Sequence, residues 1–158
     1  MRKRIINLTQ SQATTSSIEQ QWLDLEKIAQ VEVTSENPEH TIEKALLLDE
    51  QIGWRATQKG EQIIRLIFDQ PQNINHIVLQ FVELQIERTQ EFVLRWSNDK
   101  GKTFKEIVRQ QWNFNSGSTE ENEDYRVNLT DLTLLELAII PDINGGQAYA
   151  SLQKLRLA

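Results

Sequence analysis

The fold class this sequence predicts is all-β: one antiparallel β-sandwich with a single short helix. Three observations predict it. Apolar and polar residues alternate at a period of two through most of the chain, turn-forming clusters separate the alternating runs, and only one segment carries a helix signal. At 158 residues the chain is long enough to bury a core within one domain.

The elements follow in order. IAQVEVTS, residues 28–35, reads as the first strand. The helix comes next: Asn37 is placed to cap it, Pro38 sits in its first turn, and Ile42, Ala45 and Leu46 form a short apolar face. IIRLIFD, residues 63–69, puts Ile64, Leu66 and Phe68 on one face. INHIVLQF, residues 74–81, does the same with Ile77, Leu79 and Phe81, interrupted by Asn75, His76 and Gln80. EFVLRWS, residues 91–97, sends Phe92, Leu94 and Trp96 inward and Glu91 and Arg95 outward. Further strands are expected at 104–110, 125–129, 134–140 and 151–157, separated by the turns DQPQN, NDKGK, NSGS and NGG. Residues 1–27 are read as an N-terminal extension, with IINL as a candidate added strand and TTSSIEQQ as loop, ahead of a sandwich domain at 28–158.

Charge and composition narrow the function. A net charge of −6 argues against nucleic acid and against anionic membrane, both of which need a basic surface. No apolar run approaches the ~20 residues that span a bilayer. The start MRKRIINLTQSQ is basic but has no apolar stretch behind it, so a cytoplasmic protein is expected. Without cysteine there is no disulfide, thiol nucleophile or cysteine metal site.

An enzyme is not expected, and neither is a metal or cofactor. G-x-S-x-G, H-E-x-x-H and a glycine-rich phosphate loop are all missing, and His40 and His76 are the sole imidazoles. The acids of SGSTEENED, residues 116–124, read as a solvated loop, or else as a patch that attracts a cation or basic partner. SNDKGKTF, residues 97–104, matches the aspartate-box spacing S-x-D-x-G-x-T-aromatic, but once only, where propellers repeat it blade by blade. It is therefore read as a connector, with Ser97 and Asp99 bonding turn amides and Gly101 at positive φ.

The run TSENPEHTIEKALLLDEQIGWRA, a strand of RLIFD type, the SNDKGKTF hairpin and a closing ASLQKLRLA occur in that order. This order resembles the discoidin, or coagulation-factor type C, group of galactose-binding-like jelly-roll domains, which are similar to carbohydrate-binding modules. The resemblance implies binding of glycan, phospholipid or protein by loops at one end of the sandwich, usually without catalysis. It also implies a turn of the form Asp-Gly-Asp/Asn-x-x-Thr whose oxygens hold a structural calcium. The matching stretch here, Leu48–Ile52, lacks both the glycine and the threonine, so calcium is not expected, although Asp49 and Glu50 keep oxygen-ligand character.

Strand parity then selects an end. Successive antiparallel strands run up and down, so loops 36–60, 84–90, 110–124 and 141–150 fall together, opposite the short turns 69–74, 98–102 and 130–133. The long-loop end carries the candidate ligand-binding residues His40, Trp54, Arg55, Arg88, Trp112, Asn113, Asn144 and Tyr149, with Phe114 beside them. Flat aromatic faces and planar donors suit a sugar. Each has a plainer alternative. Trp54 can be a packing residue, His40 a cap, Arg88 a solvated partner of Glu87 or Glu91, and Trp112 and Phe114 core residues on the face of Phe104. Asn144 stands in a turn. The function expected is a non-catalytic module for a neutral carbohydrate. The alternative is a cytosolic protein–protein interaction domain, using the outward residues Glu91, Val93, Arg95, Lys105, Ile107 and Arg109.

Overall fold

A computed structural model describes residues 21–158, so the IINL strand and nearly all of the TTSSIEQQ loop lie outside the described residues. The elements begin with a helical turn α1 (Leu25–Ile28), strand β1 (Ala29–Val33) and a second turn α2 (Glu43–Leu46). Strands β2 (Trp54–Lys59), β3 (Gln62–Val82), β4 (Arg88–Ser97) and β5 (Lys105–Phe114) follow. The chain closes with β6 (Glu120–Ile140), β7 (Tyr149–Leu152) and β8 (Lys154–Leu157).

β3 and β6 are each 21 residues long and pair antiparallel along most of their length. Gln62–Ile67 faces Leu134–Ile139, and His76–Val82 faces Glu120–Arg126, with register shifts between the two stretches. Those shifts mark a corner. Pro71 has no amide for a ladder, and Asp131 opposite takes a φ of 57°. The DQPQN run, expected to separate two strands, is this corner inside one strand. Before it, the first layer runs in the order β1-β3-β6-β4-β5; beyond it, β8 pairs with the far half of β3, and β2 with β7.

The inward faces are those the alternation predicts. Ile64, Leu66, Phe92, Leu94 and Ile139 come from one layer, and Ile77, Leu79, Phe81, Leu155 and Leu157 from the other, all at most 2% exposed. Each such side chain stabilises the fold by about 1.5–3 kcal/mol. The rings of Phe81 and Phe92 stack across the layers with centroids 5.2 Å apart. His76, on the opposite face of β3, is buried under the ring of Trp22 and bonded through Nε2 to Asp124 at 2.7 Å.

Three local expectations are corrected. Asn37 does not cap a helix. Its Oδ1 accepts the Glu39 amide at 2.8 Å in a tight turn, and the helical turn starts at Glu43, although Ile42, Ala45 and Leu46 are buried as expected. The acids of SGSTEENED are not a loop. A tight turn closed by Asn115 and Ser118 ends before them, and Glu120–Asp124 belong to β6. Ile107 packs on the core and Lys105 lies over Trp96, because a register shift beside Arg95 leaves β5 one residue longer there.

The outer face of the first layer carries one charged row across all five strands. Glu32, Arg65, Glu136, Arg95 and Glu106 sit opposite one another in register. Glu136 is central: its carboxylate accepts from Arg65 at 2.8 Å and from Arg95 at 2.5 Å. Burial works to raise its pKa, but the two guanidinium groups outweigh it, and the net shift is downward. A depressed carboxyl pKa contributes stability above the ordinary value of 4.5, lost as pH falls through the folded pKa. Glu136→Gln should therefore cost about 1–2 kcal/mol at neutral pH, discounted for the arginines being 40% exposed, and the difference should shrink in acid. Urea unfolding of both proteins across a pH series measures this.

Candidate functional site

The loops after β3, β5 and β6 gather at one end of the sandwich, with the chain around Asn37 beside them. Backbone hydrogen bonds tie them: Glu83 to Thr119, Ile143 to Thr89, Gly60 to Ala148 and Asn37 to Arg55. The SNDKGKTF hairpin lies at the other end, where the Lys100 amide donates to Thr133 Oγ1 and the Asp131 amide to Asn73 Oδ1. Its chemistry is local. Asp99 accepts from the Ser97 hydroxyl and from the hydroxyl and amide of Thr103, which pull its carboxyl down to about 2, and Gly101 takes a φ of 89°.

At the crowded end lies a cleft of about 240 Å³. β2 and β7 pair antiparallel there, with Arg55 opposite Ser151 and Lys59 opposite Tyr149, so Arg55 and Tyr149 reach the same hollow. Gln85 and Ile86 of the 83–87 loop form the facing wall, and Gln147 completes it. Tyr149 is 47% exposed and Ile86 47%, while Leu84 in the same loop is 74% exposed. An aromatic ring and an apolar side chain thus stand in water beside an arginine and two amide side chains. Larger hollows exist elsewhere: about 370 Å³ among the paired charges around Glu136, about 430 Å³ over Arg156, about 290 Å³ along Glu32–Thr34 and about 250 Å³ between the two helical turns.

The facing wall hangs on a buried cation. Arg88, 4% exposed, is not the solvated partner of Glu87 or Glu91. Its Nε donates to Glu83 Oε1 at 2.7 Å, and its Nη1 donates to Gln90 Oε1 and to the Pro141 carbonyl. The guanidinium also lies 4.7 Å from the Phe114 ring centroid. Burial tends to raise the Glu83 pKa, but Arg88 and the amides of Gln85 and Ile86 turn the shift downward. Glu83 is therefore ionised, held at both the arginine and the start of the loop.

The other sequence-derived candidates do not join the cleft. Trp54 is a core residue, 1% exposed, with Nε1 donating to the Ser35 carbonyl at 3.0 Å. Trp112 is half-buried against the core, and Phe114 is fully inside it. His40 is half-buried, with its backbone carbonyl accepting from the Arg55 amide. Asn113 and Asn144 are exposed but line nothing here; Asn113 accepts from Thr89 Oγ1. Gln85, Ile86 and Gln147 escaped the sequence reading. The available signal was ELQIE itself, a polar loop with two large apolar residues placed where no core requires them.

Beneath this end, Gln90 Nε2 donates to Glu121 Oε1 at 3.1 Å. Glu121 is fully buried. Burial first, then the charge of Glu123, push its carboxyl up to about 8, against the weaker lowering by Gln90 and Arg88. The sign follows directly: between 4.5 and about 8 the folded chain binds this proton and the unfolded chain does not, so the group costs stability progressively as pH rises through that window. Glu121→Gln should match the parent near pH 4.5 and exceed it by a few kcal/mol, on the order of 2–4, above pH 8. Paired denaturant titrations at the two pH values test it.

The sequence profile of the F5/8 type C domain matches residues 30–150. Comparison with the curated proteins returned no match. Among solved structures, a pectin-binding carbohydrate-binding module superposes with a TM-score of 0.59 at 18% identity, covering 83% of this chain and 90% of that one. The family 32 carbohydrate-binding module of Clostridium perfringens NanJ, in complex with galactose, gives 0.61 at 11% identity, with 86% and 96% covered. A fucosidase of Ruminococcus gnavus, in complex with fucose, gives 0.64 at 11% identity, but the 85% of this chain that aligns spans only 26% of that protein. At these identities the likeness speaks to fold, and the fold agrees with the profile. With the profile covering well over half of its length, the chain belongs to the F5/8 type C, or discoidin, domain family.

Proposed function

We propose that this chain is a non-catalytic carbohydrate-binding module that takes a neutral sugar in the cleft between the 83–87 loop and the β2–β7 ribbon. The observation that carries this reading is the half-exposed ring of Tyr149 beside Arg55, Gln85 and Gln147. A ring face offers an apolar platform for the C–H side of a pyranose, while a guanidinium and two amides supply planar donors and acceptors for its hydroxyls. The cleft, about 240 Å³, is smaller than the ~300 Å³ at which pockets for drug-sized ligands begin, which suits one sugar ring or a chain end. Family membership supports the reading, as do the pectin-binding and galactose-bound modules of the same fold.

A non-catalytic role is supported by the cleft's carboxylate. Glu83 is its single lining acid, already committed to Arg88 and a backbone amide. Glycoside hydrolysis needs two carboxyl groups flanking the bond, roughly 5–9.5 Å apart.

A glycan array probed with the intact chain, followed by calorimetric titration of the sugars retained, tests the proposal. Tyr149→Ala and Arg55→Ala should each weaken binding by about tenfold or more, the equivalent of losing one good contact, with an unchanged fold because both side chains are exposed. Undiminished sugar affinity in both variants would overturn it, and so would an array with no retained glycan.

A further inference from the structure

The turn that the family resemblance marks as a calcium site already contains a cation, one supplied by the chain itself. Arg156 of β8 is 7% exposed and points into the 45–50 turn. Its Nη1 donates to the Ala45 carbonyl at 2.9 Å, its Nη2 donates to the Leu47 carbonyl at 2.9 Å, and Nη2 lies 3.5 Å from the Glu50 carbonyl. Nη1 also donates to the Leu155 carbonyl at 2.9 Å. Among the described residues no carboxylate forms a salt bridge with it. A buried charge satisfied wholly by converging backbone carbonyls is the arrangement a bound cation requires.

The residues present do not fit a divalent ion as well. The carbonyls that face inward are already accepting from Arg156, and a second positive charge a few ångströms from the guanidinium would be repelled at low dielectric. Among the described residues no three His, Asp or Glu side chains are grouped to hold a metal. The turn is also pinned independently of any ion. Gln153 Nε2 donates to the Gln51 carbonyl, the Gly53 amide donates to Lys44, and a Cβ at Gly53 would stand 2.9 Å from the Leu152 carbonyl.

We infer that Arg156 replaces the structural calcium of this fold, so that the 45–50 turn is held by an internal guanidinium and needs no divalent metal. The planar fork of arginine suits the task because its two terminal nitrogens donate from fixed, separated positions, whereas a lysine presents all its donors at one nitrogen.

The intact chain, melted in EDTA and again in millimolar calcium chloride, should give midpoints within about 1 °C of each other. A calcium-induced rise of several degrees, or stoichiometric calcium uptake in a calorimeter, overturns the inference. In the same assay Arg156→Lys and Arg156→Met should lower the midpoint in that order, the second by on the order of 5 °C or more. Amide exchange should rise in residues 44–53 while the β3–β6 pairing stays protected. A methionine variant as stable as the parent, with that turn still protected, also overturns it. Should that variant fail to fold, the lysine variant and the metal comparison still decide the matter.

Discussion

The pairing of β3 with β6 is the constraint on which the rest of this molecule depends. Both strands turn one corner, and each therefore begins and ends at the same end of the sandwich: Gln62 lies opposite Ile139, and Val82 lies opposite Glu120. Every other strand of the main sheet hangs on this ribbon. β1 and β8 pair with β3, β4 pairs with β6, and β5 reaches it through β4. Four chain ends are delivered to one rim, and the connections entering and leaving β3 and β6 must share it. That crowding makes a cleft there, while the opposite end carries the corner, the 97–104 hairpin, the entry into β1 and residue Ala158.

Two buried glutamates show how position decides charge. Glu136 and Glu121 are 2% and 0% exposed, and both lie on β6. Glu136 sits between Arg65 and Arg95 and its pKa falls; Glu121 has no such pair, and burial, with the charge of Glu123, raises its pKa against the weaker pull of Gln90. Arg88 lies close by but spends its bonds on Glu83, Gln90 and Pro141. Arg88 therefore serves the ionised Glu83, and burial keeps the Glu121 carboxyl protonated.

Much of the fold was legible because burial on one face writes a period of two into the chain. The pattern failed where polar residues occupied the inner face. Glu121, Glu123, Tyr125, Val127 and Leu129 share one side of β6, but the first two are acids, so the strand's start read as loop. Pro71 read as a break because a proline cannot continue a central ladder, whereas here it stands at an exposed corner. At the rim, parity brings the long connections together, but residue type does not separate core side chains from exposed ones. Trp54 and Arg55 are neighbours on a strand, so only one can face the cleft, and it is the arginine. Trp112 has the same history: an aromatic ring signals recognition only after the core has taken those it needs. The partners of Arg55 across the cleft come from the 83–87 loop and from β7, and no spacing rule in a single sequence joins segments that far apart.

The 83–87 loop stands where these constraints meet. Leu84 and Ile86 stand in water, where each forgoes the stabilisation that burial would give, and five residues could easily fold them inward if the loop were free. It is not free. Glu83 is bonded to a buried arginine at one side, and the chain enters β4 through that same arginine at the other. Burying Arg88 is itself costly, and it is offset by hydrogen bonds to Glu83, Gln90 and Pro141 rather than by any gain in the apolar core. A fold under no demand beyond stability would exchange this arrangement for apolar packing and a polar loop. Retaining it holds an apolar wall beside Tyr149, and for the proposed sugar site a wall already held in place would lose less conformational entropy on binding.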